Sequence, residues 1–462
     1  MRRSAQARFL AVEHLDAVLE SAEAEGVQTL PKPDELSWWD WAVFLLQTAA
    51  EIEHALMVQY LYAAYSLDGA GGTGPDRPTD AAAKIGRWRA KITSIAREEM
   101  GHLLTEQNLL RFIGGPLNFE REDFPFRSTL YPFPLELQPL SKTSLAKYVC
   151  AEMPESPGVP DLDEIVARAT AATGGMRPNR VGVVFETLHD IFFDHQKIVD
   201  ADLRPATADQ QAQPGDWHGG GRIIVRVIAS RQDALDALQL IGEQGEGSAN
   251  PPTEARPSHF EEFHEIFGQF PETELARPGW VPTTSIPTNP TTASEADPDP
   301  DAERGRITHP TTRLWAQLLN VRYRMLLVDI AHAMQLSGRL VDPNGAPTPR
   351  GHLRDWAFDE MHGPTFNEGV RGIARLLTTR PAKATAAPGD PANAGAPFEL
   401  PYTLAIPDDE HGRWRLHRAL LDASDALRKQ LVDHGESDPL LGEIKTMDDA
   451  VRAIVQPLLE AS

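Results

Sequence analysis

Two long helical segments of this chain carry acidic and imidazole side chains inside their apolar faces, and this restricts the fold more than any other feature. Apolar residues recur at helical spacing across 41–67, and Glu53 falls within that face. In the segment 80–113, Glu99 and His102 are three positions apart and are therefore neighbours on one face of a helix. Burying such groups without partners is costly. A pair of metal ions shared between helices would satisfy all of them together.

The rest of the chain also follows helical periodicity. Further helices are predicted at about 179–200, after Ser230, from 258, and repeatedly after 306, whereas IIVRVIA (223–229) is the only short strand candidate. Four-helix di-metal proteins take one Glu from each of two helices and a Glu-x-x-His from each of the other two. The sequence therefore predicts an all-α fold. It consists of a four-helix bundle with a long crossover, followed by an additional C-terminal helical region.

Composition shifts divide the chain into four predicted parts. Residues 1–34 form an N-terminal helix and lead-in, and residues 35–282 form the di-metal bundle, including a Pro- and aromatic-rich crossover at 116–160. Residues 283–305 are rich in Pro, Thr and Asp and are predicted to be a flexible linker. Residues 306–462 form the C-terminal helical region, which is predicted to pack on the bundle.

Charge and cysteine content exclude several classes of protein. The 462 residues carry a formal net charge of −23, which argues against nucleic acid as a partner. The single cysteine, Cys150, cannot form an internal disulfide and gives no sign of an oxidising compartment. We find no apolar run long enough for a membrane helix and no signal-like N-terminal core. A cytoplasmic protein without a membrane partner is expected.

The Glu-x-x-His spacing occurs four times, so position within the helix has to separate meaningful pairs from accidental ones. Glu99 and His102 lie inside an apolar face and are the best ligand candidates. The pair at 51 and 54 is displaced from the face of Glu53, which favours a solvated or outer role. Glu186 lies beside an apolar face, and the pattern alone does not decide whether it binds metal. His189 is better explained as an outer or surface histidine.

The fourth helical contribution is less well defined by the residues. Glu243 and Glu246 are one turn apart at a helix end, and His259 and His264 follow the next loop, so a broken Glu…His pair could replace a continuous one. A solvated helix end is the alternative. Tyr60 lies two turns after Glu53 on the same side of its helix. It is either a catalytic group near the metals or a core tyrosine.

Several strings resemble a known family of proteins. They are LQTAAEIEHALMVQYLYAAYSL, IAREEMGHLLTEQNLLRFIGGPLNF, IGEQGEG and SHFEEFHEIF, together with the later AGAPFELP and LLNVRYRMLL. They resemble the ferritin-like family that includes iminophenyl-pyruvate dimer synthase, an enzyme type of violacein-class pigment pathways. The resemblance covers about residues 35–430. It implies a ferritin-like bundle with metal ligands at Glu53, Glu99, His102, Glu186, Glu246 and His259, and it favours His259 over His264.

These observations lead to a hypothesis about function. The chain is expected to be a non-haem di-metal oxidoreductase that uses dioxygen on a small amino-acid-derived or natural-product intermediate. Oxygen donors with one imidazole per metal suit iron, with manganese as the possible substitute. A homo-oligomer or a pathway-enzyme partner is possible. Two alternatives stay open: an iron-binding or ferroxidase protein, and a metal-free scaffold with a buried hydrogen-bonded network.

Overall fold

A computed structural model describes most of the chain, and two compact units divide it between Thr283 and Thr284. The described residues are 30–128, 130–216, 223–246, 257–363, 369–401 and 403–461, without the side chains of Ala208, Glu246 and Ala461. The predicted N-terminal helix lies outside these residues. Within them the fold is all-α: isolated β-bridges occur, but no β-strand forms, and residues 223–229 run as irregular chain.

The first unit is built around two long helices. Its described α-helices are α1 Trp38–Ser66, α2 Ala81–Ile113, α3 Lys142–Ala151, α4 Leu162–Ala172, α5 Gly182–Phe193, α6 Arg231–Glu246 and α7 His259–Gln269. Helices α1 and α2 pack along each other, and the rest of the bundle is assembled from the shorter helices, with α3 against α7 and α5 against α6. This arrangement confirms the predicted all-α fold class.

Local sequence signals explain the ends of the two long helices. Ser37 begins α1 with a capping box in which Ser37 and Asp40 each accept from the other's backbone N–H. Helix α2 stops at Gly114, whose φ of 76° lies in the left-handed region and suits a glycine. The apolar face of α1 is fully buried, with Leu45, Ile52 and Leu56 at most 1% exposed. Hence the polar residues on that face are buried as well.

Two helices of the first unit lie inside or just after the segment that we predicted as a crossover. Helix α3 begins at a capping box formed by Ser141 and Ser144, and α4 follows from Leu162. The periodicity of Leu145, Tyr148 and Val149 would have indicated α3, but its ten residues are flanked by prolines and are easily taken for a loop. The predicted crossover is thus partly helical.

The second unit is a separate helical bundle. Its described α-helices are α8 Pro300–Gly305, α9 Pro310–Gln335, α10 Pro349–His362, α11 Gly369–Leu377, α12 Glu410–Asp433 and α13 Leu440–Ala461. Helix α9 packs against α10, α11 and α12, and α12 packs against α13. In its interior, the buried Arg322 guanidinium lies between the carboxylates of Glu360 and Asp448. None of the helices described in either unit is long and apolar enough to cross a bilayer.

The predicted linker belongs to the second unit. Its Thr291 hydroxyl donates to Glu399 Oε1 at 2.6 Å, and the Thr292 backbone N–H donates to the same oxygen at 3.0 Å. Residues 284–305 are therefore joined to the body of that unit by specific hydrogen bonds. The four-part domain division given above stays a prediction.

Candidate metal centre

Five buried side chains in the first unit form two overlapping clusters of potential metal ligands. Glu53, Glu99 and His102 form one cluster, and Glu99, Glu152 and His259 form the other. Within each cluster the candidate ligand atoms lie within 4.8 Å of one another. Glu99 is common to both. One carboxylate shared by two adjacent cation positions is the arrangement expected of a bridged metal pair.

Four helices supply these residues, each for a local reason. Glu53 lies in the middle of α1, and Glu99 with His102 forms one turn of α2. Glu152 is the C-cap of α3, so that its side chain projects from the end of a short helix. His259 is the first residue of α7, immediately after the Ser258 cap. Helix packing brings these four positions together.

The imidazole nitrogens and carboxylate oxygens of the two clusters lie close together but are not aligned for hydrogen bonds. Nδ1 of His102 lies 2.8 Å from Glu99 Oε2 and 3.5 Å from Glu53 Oε2, and Nδ1 of His259 lies 3.0 Å from Glu99 Oε1. Even so, both Nδ1 atoms, Glu53 Oε2 and Glu99 Oε1 are buried without a hydrogen bond of acceptable geometry. These atoms converge on one another as ligand atoms do around a cation, and buried polar groups need such a partner.

The outer nitrogens of both imidazoles are held by one polar network. His259 Nε2 lies 3.0 Å from Glu98 Oε2, and His102 Nε2 lies 2.9 Å from Gln244 Oε1. The Gln244 amide in turn donates to Glu98 Oε2 at 2.7 Å. With each Nε2 as an N–H donor, each Nδ1 keeps a free lone pair directed at the carboxylates. Metal-binding histidines are commonly oriented in this way.

Burial and mutual charge determine how the centre titrates. Burial, reinforced by the charge of Glu99, holds the pKa of Glu53 well above its usual value. Burial would also raise the pKa of Glu99, but His259 and His102 outweigh it, and the pKa of Glu99 lies well below the usual range. Burial would lower the pKa of each histidine, but the nearby carboxylates raise it instead. Without a metal, the ionised Glu99 therefore lies between two imidazoles that readily take up a proton.

Tyr60 contacts one of the five side chains. Its hydroxyl donates to Glu152 Oε1 at 2.5 Å, and its ring lies edge-on to Tyr148 and against Phe263. Burial, followed by the charge of Glu152, raises the pKa of Tyr60 well above 10.0. The phenol is therefore a neutral proton donor to a candidate ligand. Tyr60 is both a core tyrosine and a neighbour of the centre.

The predicted ligand Glu186 and the alternatives Glu243 and His264 are not brought into these clusters. The Glu186 side chain is 42% exposed and pairs with Arg180 at 3.2 Å. Glu243 accepts from Gln239, and His264 pairs with Asp161 at 2.7 Å. The Glu246 side chain lies outside the described residues, so its assignment stays a prediction. Gly245, which precedes Glu246 in the string IGEQGEG, packs against Glu152. A Cβ at this position would lie only 3.1 Å from Glu152 Oε2.

Glu152 was not among the predicted ligands. Its signal resembles that of Glu53, because Leu145, Tyr148 and Val149 place Glu152 on the continuation of an apolar helical face. Because residues 116–160 are predicted to be a crossover, no ligand is predicted within them.

A narrow crevice of about 10 Å³ reaches the centre, and it adjoins a larger cavity of about 400 Å³. Gly182, Phe185 and Gly242 line both. The larger cavity is also lined by Glu186, which places this predicted ligand on the approach to the centre. The shared lining places the larger cavity next to the centre.

Comparison with known proteins agrees with the resemblance seen in the sequence. The chain is 26% identical over 378 residues to dichlorochromopyrrolate synthase from Lentzea aerocolonigenes, covering 73% of this chain and 34% of that protein. It is also 26% identical over 346 residues to 2-imino-3-(indol-3-yl)propanoate dimerase from Chromobacterium violaceum, covering 69% of this chain and 30% of that protein. The chain thus spans about a third of the length of these relatives.

A crystal structure of a ferritin-like protein from Caulobacter vibrioides aligns with 68% of this chain and 92% of its own, at 17% identity and a TM-score of 0.40. The family model described as Ferritin-like matches residues 46–268, which contain all five clustered side chains. Residues 46–268 of this chain are therefore similar to the Ferritin-like family.

Proposed function

We propose that the first unit binds two metal ions, with iron preferred and manganese possible, and that the protein is a non-haem di-metal oxidoreductase. The observation that supports this most strongly is the pair of buried clusters sharing Glu99, with their unpaired ligand atoms. Carboxylate oxygens and one imidazole per position suit iron or manganese better than a thiolate-preferring metal. The residues present therefore fit the cofactor that this fold implies.

Each side chain has a distinct task in this proposal. Glu53, Glu99 and His102 would hold one ion, and Glu99, Glu152 and His259 would hold the other, with each imidazole offering its Nδ1. The bound metals would supply Lewis acidity and electrons for dioxygen chemistry. The buried walls exclude bulk water. Tyr60 holds a proton on its hydroxyl, next to Glu152 Oε1, and can deliver it to that carboxylate.

For the substrate we propose a small amino-acid-derived or natural-product intermediate, which enters through the cavity lined by Gly182, Phe185 and Gly242. The names of the two curated relatives describe a synthase and a dimerase of such compounds. Phe185 offers an aromatic surface at the point where cavity and crevice meet.

Metal analysis tests the proposal directly. Protein purified with Fe(II) under anaerobic conditions should contain about two iron ions per chain by elemental analysis, and Glu99→Ala should lose both because Glu99 serves both positions. Glu51→Gln is the control. Glu51 lies on α1 and is buried like Glu99, but it accepts hydrogen bonds from Asn118 and Tyr131. Admission of dioxygen to the loaded protein should consume oxygen and change its visible spectrum.

A folded wild-type protein that retains less than about 0.3 metal ion per chain would contradict the proposal and leave a metal-free network. If iron is bound and oxidised but accumulates far beyond the two positions, iron storage is the better description.

A further inference from the structure

One more carboxylate in the first unit has the properties of the candidate ligands but belongs to neither cluster. Glu106 lies on α2, one helical turn after His102, and its exposed fraction is 0%. Neither of its oxygens has a hydrogen-bond partner among the described residues. The buried Glu51 of α1 differs, since it accepts hydrogen bonds from Asn118 and Tyr131.

Neither protonation state of Glu106 is satisfied by its surroundings. An ionised carboxylate buried without a partner is strongly unfavourable, and a neutral carboxyl still has an O–H donor without an acceptor. The same lack of partners marks Glu53 Oε2, Glu99 Oε1 and the Nδ1 atoms of His102 and His259. A cation satisfies the clustered atoms, and it would satisfy Glu106 as well.

The position of Glu106 indicates which of the two proposed metal ions it would bind. Glu99, His102 and Glu106 follow one another along one face of α2, and residues four apart on a helix have Cβ atoms about 6 Å apart. Burial raises the pKa of the Glu106 carboxyl. The charged groups that also shift this pKa are Glu53, His102 and Glu99. These three residues form the first cluster. Glu106 is therefore next to that cluster.

We propose that Glu106 is a further ligand of the metal centre, binding the divalent cation held by Glu53, Glu99 and His102. The inference rests on the proposed function. A rotation about the side-chain bonds of a glutamate is sufficient to bring its carboxylate towards an ion one helical turn away. The additional oxygen donor makes this position harder and more anionic than the one formed by Glu152 and His259, so the two ions bind with unequal affinity.

Mn²⁺ binding to the full chain tests this. In equilibrium dialysis followed by elemental analysis, wild-type protein should bind two Mn²⁺ per chain, and Glu106→Gln should weaken one of them roughly 10-fold or more. Without metal, Glu106→Gln should melt at the same or a higher temperature, since a neutral amide replaces a buried unpaired acid. Glu51→Gln should leave Mn²⁺ affinity unchanged.

The outcomes separate the two proposals. Wild-type protein that binds no Mn²⁺ would refute the metal centre itself, and this inference with it. Wild-type protein that binds two ions, with Glu106→Gln binding both equally well, would refute only the role of Glu106.

Should Glu106→Gln fail to fold, a crystal structure of Mn²⁺-loaded wild-type protein decides the matter. A Glu106 oxygen within about 2.5 Å of an ion supports the inference, and an oxygen beyond direct coordination refutes it.

Discussion

At the scale of single residues, Glu98 and Glu99 are adjacent in sequence but have different tasks. Glu99 lies between the two imidazoles on the side where metals would bind, whereas Glu98 contacts the outer nitrogen of His259 and the amide of Gln244. Successive helical residues point about 100° apart. One turn of α2 therefore carries both the candidate ligand Glu99 and Glu98, which contacts the outer nitrogen of His259.

We predict that Glu98 affects metal affinity without being a ligand. Glu98→Ala should weaken metal binding by about 10- to 100-fold, because His259 and Gln244 lose their common acceptor and both imidazoles lose their orientation. Glu98→Gln should recover part of the loss, since one acceptor oxygen remains. Equilibrium dialysis with Mn²⁺ measures this, with the exposed Arg97→Gln as control. Equal affinity in Glu98→Ala and wild type would contradict the role.

At the scale of elements, two short capped helices place the candidate ligands that do not lie on the long helices. His259 owes its position to the first turn of α7, where the Ser258 hydroxyl accepts from the Glu261 N–H and the Glu261 carboxylate accepts from the Ser258 N–H. Glu152 likewise depends on where α3 ends. The second cluster is therefore sensitive to local helix stability.

Removal of the α7 cap should affect metal binding as well as stability. Ser258→Ala should cost about 1 kcal/mol of folding free energy and lower metal affinity, because the first turn that carries His259 is loosened. Thr348→Ala removes the corresponding cap of α10 in the second unit and should cost a similar amount with no change in affinity. Thermal unfolding without metal, followed by Mn²⁺ titration, compares the two. An unchanged affinity in Ser258→Ala would show that packing alone positions His259.

Sequence periodicity predicted the long elements well and the short ones poorly. Helices α1 and α2 have 29 and 33 residues, so many turns contribute to one consistent pattern. Helix α3 has 10 residues between proline-rich stretches, and such a composition favours a crossover over a helix. The candidate ligand Glu152 lies at the end of this helix, so a sequence pattern that hides the helix hides the ligand too.

At the scale of the whole molecule, the second unit contains a buried relay of its own. Asp329 Oδ1 lies 3.1 Å from His417 Nδ1, and His417 Nε2 lies 2.9 Å from His332 Nδ1. His332 is fully buried, and burial, together with the charge of His417, lowers its pKa to about 3. It is therefore neutral in the folded chain at moderately acidic pH.

This relay predicts acid sensitivity of the second unit. Unfolded chain binds a proton at His332 near pH 6.5, whereas folded chain does not until about pH 3, so stability falls as the pH decreases between these values. From neutral pH to pH 5 the loss from this group is about 2 kcal/mol. Hydrogen exchange of α9 and α12 peptides, corrected for intrinsic rates, should show this loss in wild type and a smaller one in His332→Gln.

The exposed His434→Gln is the control and should behave as wild type. Equal acid sensitivity in His332→Gln and wild type would assign the effect to other groups.

The sequence by itself determined the helical fold class and the first half of the centre. Glu53, Glu99 and His102 lie on two continuous helices, where spacing alone fixes which side chains share a face. The resemblance in the sequence pointed to His259, but only the tertiary structure brought Glu152 next to it, because both residues lie at helix ends and meet through packing between distant segments. The structure also placed Glu186 in the lining of the larger cavity, outside both clusters. Helical spacing is a local property of the chain, whereas the meeting of helix ends depends on the packing of the whole unit.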